Sequence, residues 1–235
     1  MIKPGKHVVL VISDTQCPFQ HQDTIPFLQY VTSKFKPDEV IHIGDEVDFH
    51  GLSRFFRDPD GHSMGKELQL AIKELKKFYK VFPNVKVCTS NHTNRPYDRA
   101  FEAGIPRSFL QDINHILGAP KGWKWADKWV IDGVAYVHGH HGPGGQSAIQ
   151  RHAIGDSIST VFGHVHAHAG IYYYATQEDL RFAFNVGCLI DNNAYAFVYG
   201  KKYVCKPIIG CGIVNRGVPQ FIPMLLNKRG RWIKH

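Results

Sequence analysis

The chain has 235 residues, 43% hydrophobic and 20% charged, a size and balance that fit one α/β domain spanning residues 1–235. No apolar run approaches the ~20 residues of a membrane span, and the five cysteines include no Cys-x-x-Cys pair, which argues against a disulfide framework and a thiolate zinc site. The net charge of +8 suits a polyanionic partner, because lysines and arginines displace counterions from phosphates, and it suits a merely basic surface equally well.

The expected elements begin with a strand over His7–Ser13, a continuous apolar run bounded by Pro4-Gly5 and by the polar Asp14-Thr15-Gln16. Val40–Ile43 is a second strand, ended by Gly44-Asp45, and Val85–Thr89 a third, ended by Ser90-Asn91-His92. Between these two, Leu68, Ala71, Ile72, Leu75 and Tyr79 recur at helical spacing and predict an amphipathic helix over Lys66–Phe82. The second half changes character. Strand-like runs at Trp129–Val137, Thr160–Phe162, Leu180–Val186, Ala194–Tyr199, Pro207–Val214 and Gln220–Leu225 are separated by Gly, Asn or Pro, and Gln146–Ala153 carries helical pattern. Strands alternating with helices, followed by mostly strands, predict two packed sheets with helices outside. The N-terminus, with Lys3 and Lys6, has no apolar signal core behind its charges, so a cytoplasmic protein is expected, in the host cytoplasm if the gene is viral.

Five short polar clusters each follow a strand-like run: Asp14-x-Gln16, Gly44-Asp45-x-x-Asp48, Asn91-His92, His138-Gly139 and Gly163-His164-x-His166. Open α/β sheets bind ligands where strands end. Carboxylate, amide oxygen and imidazole in one place suit Mn²⁺, Fe or Zn²⁺ better than a thiolate-seeking ion. Many of the 15 histidines stand in these Gly-flanked strings rather than along helix faces.

In order and context the clusters resemble the motif series D-x-H, G-D-x-x-D, G-N-H-[DE], H-G and G-H-x-H of calcineurin-like metallophosphoesterases, and Asn185-Val186-Gly187-Cys188 resembles the N-x-G-S turn that often follows. The stretches 44–55, 90–107, 117–125 and 186–197 look like the compact members encoded by bacteriophages, a group usually assigned to DNA-repair exonucleases. The resemblance implies a four-layer α/β/β/α sandwich, two mixed β-sheets flanked by helices. It also implies two divalent ions, Mn²⁺ favoured over Mg²⁺, Fe, Zn²⁺ or Ni²⁺, that activate a water shared between them. By the same likeness the first ion takes Asp14, Gln16 and His166, Asp45 bridges, and the second takes Asn91, His138 and His164. His92 would act on the leaving oxygen and Asp48 would orient it.

Two positions depart from the family pattern. Gln16 stands where the family usually has His; a neutral amide oxygen is a weaker and harder donor, so the first site should bind metal less tightly and lean to Mn²⁺ or Mg²⁺. Ser90 and Thr93 replace the usual Gly and acid around Asn-His, removing a carboxylate expected to support that loop. In the string from His138 to His141, His138 directly follows a strand and precedes Gly139, which favours it over His140 and His141.

The expected substrate is a phosphate ester, DNA or RNA being favoured, hydrolysed by a phosphodiesterase or nuclease. Arg54 and Arg95, with Arg57, Arg99 and Arg107, fall near the second and third motifs and can meet a phosphate backbone. Trp123, Trp125 and Trp129 alternate with Lys121, Lys124 and Lys128, either to stack bases or to close the core. A small-molecule phosphomonoesterase and a cyclic-nucleotide phosphodiesterase are the alternatives. So is an inactive, metal-stabilised nucleic-acid-binding module in which Gln16 marks lost activity.

Overall fold

A computed structural model describes residues 5–54, 60–141, 154–155, 158–194 and 206–234. The first half supplies strand β1 (Val8–Ile12), helix α1 (Thr24–Phe35), β2 (Glu39–His42), α2 (Met64–Val81), β3 (Val85–Cys88), α3 (Asn91–Glu102), the short α4 (Ile113–Ile116) and β4 (Trp123–Ala126). Then follow β5 (Trp129–Ile131), β6 (Val134–Tyr136), β7 (Ser159–Phe162), β8 (Ala169–Ala175), β9 (Leu180–Val186), β10 (Gly210–Asn215) and β11 (Val218–Pro223).

Two mixed sheets result. One runs β11-β10-β1-β2-β3-β4 and the other β5-β6-β7-β9-β8. In the first, β1 to β4 are mutually parallel and β10 returns antiparallel to β1. In the second, β6, β7 and β9 are parallel. Strand periodicity explains how one apolar run serves two cores. Val9 and Val11 point to the layer between the sheets, against Tyr136, Val161, Phe182 and Phe184. Leu10 and Ile12 point the other way, onto Phe27 and Leu28 of α1 and Leu75 and Phe78 of α2. A fully buried side chain of this kind contributes roughly 1.5–3 kcal/mol relative to exposure.

The expected strand Trp129–Val137 is instead the hairpin β5–β6. Asp132 and Gly133 take φ of 50° and 75°, the signature of an Asp-Gly two-residue turn, and that turn reverses the chain. Helix α2 starts at Met64, where the Ser63 hydroxyl accepts from the Lys66 N–H. Helices α1, α3 and the short α4 escape the sequence pattern. The first turn of α1 carries Pro26, harmless there because its N–H would have no partner anyway. α3 is polar along most of its length and buries only His92, Thr93 and Ala100. The helix expected over Gln146–Ala153 and most of the strand expected over Ala194–Tyr199 lie outside the described residues.

Candidate metal centre

All five polar clusters sit just past the ends of parallel strands: Asp14 after β1, Asp45 after β2, Asn91 after β3, His138 after β6 and His164 after β7. The backbone there is held in an uncommon conformation. Asp14, Gln16, Asp45 and His164 all have positive φ, from 44° to 64°. Non-glycine residues in that region cost free energy and concentrate at functional sites. Two glycines make room. A Cβ on Gly163 would lie 2.4 Å from Asp14 Oδ2, and one on Gly44 would lie 2.8 Å from His138 Nδ1.

Two three-residue donor groups form, Asp14–Asp45–His166 and Asp45–His138–His164, with ligand atoms within 4.8 Å of one another in each. Asp45 belongs to both. His166 Nε2 lies 2.9 Å from Asp14 Oδ1. Gln16 points its amide into the same group, the Nε2 end 3.5 Å from both Asp45 Oδ2 and His166 Nε2. Its Oε1 is buried with no hydrogen-bond partner. Turning the amide over would bring that oxygen to the donor group, and amide orientation follows from whatever the site holds.

On the other side, His138 is buried and its Nδ1 donates to the Ile43 carbonyl at 2.9 Å. Its Nε2 therefore faces Asn91 Oδ1 at 3.0 Å and Asp45 Oδ1 at 3.3 Å. Three lone pairs on one point require a cation or a proton between them. The same conflict appears in the acid–base balance. Although burial opposes it, the Asp45 and Asp14 charges raise His138 to about 9. Burial and the neighbouring His138 push His164 down to about 4. Asp45 stays well below the usual carboxylate range, because His138 and His92 outweigh its burial. The donor set thus fits divalent ions on residues of this chain. His140 belongs to neither group, though its ring lies 5.3 Å from that of His138 and 3.8 Å from that of His141.

Beside the shared carboxylate, His92 Nδ1 lies 3.0 Å from Asp48 Oδ1, though not aligned as a hydrogen bond. His92 Nε2 accepts from Arg95 Nη2 at 2.9 Å. A guanidinium only donates, so the ring proton of neutral His92 belongs on Nδ1, facing Asp48. Arg95 also donates to the Asp48 and Phe49 carbonyls. With Leu52, Arg54, Asn91, Asp98 and Arg99 it borders a cavity of about 260 Å³ next to the donor groups. Arg54 reaches that cavity while pairing with Glu102 at 2.5 Å.

Sequence reasoning missed the clamp of Arg95 on His92. A helical reading of 91–102 would have exposed it, since the two stand three residues apart on one face. It also missed how the Asn91 turn is supported. Ser90 Oγ accepts from the backbone N–H groups of both Asp45 and Thr93. Glu46 accepts from the Thr93 hydroxyl at 3.1 Å and from Trp125 Nε1 at 3.1 Å. A buried carboxylate therefore meets Thr93 from a different strand end, and burial pushes it up to about 7. Asn185 ties the His164–His166 turn to β9, its Nδ2 donating to the Val165 carbonyl at 3.1 Å. Of the three tryptophans, Trp123 and Trp129 donate to the Phe82 and Val87 carbonyls and pack into the cores. Arg57 lies outside the described residues.

A family model described as calcineurin-like phosphoesterase matches residues 7–200. The Gene 54 protein of Mycobacterium phage D29 is 24% identical over 92% of this chain and 93% of its own length. The Gene 54 protein of Mycobacterium phage L5 is 25% identical over 67% of this chain and 68% of its own. Among solved structures, Vps29 of Chaetomium thermophilum superposes with a TM-score of 0.50 at 10% identity, covering 97% of this chain and 94% of that one, a likeness of fold alone. None of the described helices is long and apolar enough to cross a membrane.

Proposed function

This chain belongs to the calcineurin-like phosphoesterase family, and from that premise we propose a dinuclear metal-dependent phosphodiesterase, one domain over residues 1–235, that cleaves nucleic acid. The family match and the clustered Asp and His side chains support metal-dependent phosphoester chemistry. The observation that carries the dinuclear reading is Asp45, whose carboxylate belongs to both donor groups. We assign Asp14, Gln16 and His166 to one ion, Asn91, His138 and His164 to the other, and Asp45 to both. Two divalent ions bound there, Mn²⁺ favoured, would supply an activated water and neutralise charge on the phosphoryl oxygens.

The chain's own groups do the rest. Asp45 and Asp14 stay ionised among the imidazoles and so hold cationic charge at the reacting phosphate. His92 stands beside Asp45, its Nε2 3.6 Å from Oδ2; once Arg95 leaves Nε2 and that nitrogen takes a proton from solvent, the imidazolium would deliver a proton or positive charge to the leaving oxygen. Asp48, 3.0 Å from Nδ1, would balance the charge on the ring and orient it. Arg95 is placed to exchange His92 Nε2 for a phosphate oxygen when substrate enters, freeing that nitrogen for the leaving group. The choice of a diester rests on the cavity bordered by Arg54, Arg95 and Arg99 beside Asn91. Glu102 partly neutralises Arg54 and Arg99, and Arg95 shares its charge with Asp48 at 3.3 Å. Those guanidiniums fit a phosphate next to the scissile one. The phage relatives are compatible with action in a host cytoplasm.

The test is a Mn²⁺-dependent screen over single-stranded DNA, duplex DNA, RNA, cyclic nucleotides, nucleoside monophosphates and bis(4-nitrophenyl) phosphate. Cleavage of a nucleic acid together with the aryl diester is expected. Turnover of monophosphates alone would replace the reading with a phosphomonoesterase, and no turnover with any metal would replace it with a binding module.

A further inference from the structure

Across α3 from the arginine-lined cavity lies a second cavity, of about 730 Å³, bordered by α3, α4 and β4. The chemistry above makes no use of it. We propose that it is a nucleotide subsite, holding one base and phosphate of a single strand whose scissile linkage lies at the metal centre. The proposal rests on the phosphodiesterase reading.

The cavity lies within the several-hundred-Å³ range of ordinary small-molecule sites. Its lining combines two kinds of group that single strands require, ring faces and unpaired cations. Trp125 and Tyr97 supply the rings. The polar tip of each is already satisfied by the protein. Trp125 Nε1 donates to Glu46 Oε1 at 3.1 Å and the Tyr97 hydroxyl donates to the Gln111 carbonyl at 3.0 Å. Both rings are therefore held in place, and what they offer a ligand is ring surface rather than a hydrogen bond. Fixed rings lose little entropy when a base stacks on them. The Arg107 guanidinium lies 4.3 Å from the Tyr97 ring centroid and adds a second planar, cationic surface.

Charge completes the case. Arg107 is neutralised by Asp112 at 2.6 Å, but Lys121 and Lys124 are exposed at the cavity wall and pair with no carboxylate among the described residues. Neither lysine serves the core, unlike Trp123 between them in sequence. Two free ammonium groups beside two anchored rings make a place for a phosphate and its base.

The route to the metal centre is short. Thr93 borders this cavity and Asn91 borders the arginine-lined one. Two residues apart, their Cα atoms are separated by at most about 7 Å. A strand crossing the first turn of α3 would thus pass directly from one cavity to the other.

The test pairs Lys121→Gln/Lys124→Gln with wild type in two assays. The first is anisotropy of a labelled oligothymidylate in EDTA at several salt concentrations. The second is Mn²⁺-dependent hydrolysis of bis(4-nitrophenyl) phosphate, too small to reach the subsite. The double variant should bind the oligonucleotide roughly tenfold more weakly, with the salt slope reduced by about two, one per lysine. Its aryl-ester turnover should match wild type. A second variant, Tyr97→Leu, should weaken oligonucleotide binding with the salt slope kept, since stacking releases no counterions. Unchanged oligonucleotide affinity in both variants would overturn the subsite. Thymidine 5′-monophosphate competing as tightly as the oligonucleotide would assign the cavity to free nucleotides and overturn the strand. Absence of aryl-ester turnover in wild type would instead count against the phosphodiesterase reading, separately from the binding result.

Discussion

The two donor groups that meet at Asp45 differ in chemistry. On the Asp14 side stand a carboxylate, the neutral amide of Gln16 and a single imidazole, His166; on the Asn91 side stand an amide and two imidazoles, His138 and His164. The first group carries its own negative charge and is rich in hard oxygen. The second is nitrogen-rich and has no anion except the one it shares. Hard oxygen donors suit Mn²⁺ or Mg²⁺, and imidazoles suit Zn²⁺ or Fe. The lesson is that, on the proposed assignment, Asp45 would do more than bridge: it is the only carboxylate among the residues assigned to the second ion.

Removing that shared charge should therefore have the largest effect. Asp45→Asn is expected to lower turnover by more than about 100-fold in excess Mn²⁺, beyond what loss of an outer hydrogen-bond partner costs. Asp14→Asn should leave metal bound on the imidazole-rich side, so the two variants should differ in stoichiometry by calorimetry. Equal metal content and more than a few percent of activity in Asp45→Asn would sink the bridge.

The next effect concerns leaving groups. A nucleotide diester departs as a poorly stabilised alkoxide, and a nitrophenyl ester as a stabilised phenolate. His92→Asn should slow nucleic-acid cleavage by roughly 10²–10⁴-fold and aryl-ester cleavage far less. Similar losses on both substrates would remove His92 from the leaving side. Arg95→Lys offers a finer cut: an ammonium keeps the charge but loses the fork that spans His92, Asp48 and Phe49. It should raise KM for a diester more than it lowers kcat.

How far the site was legible in the sequence follows from which interactions are local. Asp14, Asp45, Asn91, His138 and His164 each stand at the end of an apolar run, and a run's end can be read along the chain. Two packed sheets were legible in strands alternating with helices and then mostly strands, whereas a continuous apolar run does not show which of its residues face which layer, and the structure divides Val9 and Val11 from Leu10 and Ile12. What escaped was long-range or disguised. α3 hides its helix in polar residues because its burial is only His92, Thr93 and Ala100. Glu46 reaches Thr93 across 47 positions, a distance that no spacing rule reports. The tryptophans looked alike in sequence and all three pack against the cores, yet Trp125 alone among them meets Glu46.

A smaller effect tests the contrast at Gln16. Gln16→His would give each ion two imidazoles or their equivalent, evening out the two sides. Calorimetric titration should show tighter binding at the weaker site and a shift of preference towards Zn²⁺ or Fe. Unchanged affinity and metal order would mean that Gln16 contributes no ligand.

The smallest expected effect is a pH signature, and within the imidazole-rich side it sets His138 against His164, while His166 on the other side is raised as His138 is. In the metal-free protein His138 is raised from its usual 6.5 to about 9, whereas His164 is lowered to about 4. A group whose folded value lies above its unfolded one adds stability fully below pH 6.5 and loses it as pH rises through 9. Asp14 and Asp45 are shifted downward, so their contribution is complete above the ordinary carboxylate value and adds no slope in this window. His164 is already neutral there. The metal-free protein should therefore melt at progressively lower temperature between pH 6.5 and 9. Metal binding requires neutral imidazole, so the ion replaces the His138 proton, and the Tm increment from saturating Mn²⁺ should grow across the same interval. At neutral pH, calorimetry in buffers of different ionisation enthalpy should register proton release, from His138 and from His166, whose pKa Asp14 also raises. An increment flat with pH, together with no buffer dependence, would mean that His138 holds no proton for a metal to displace.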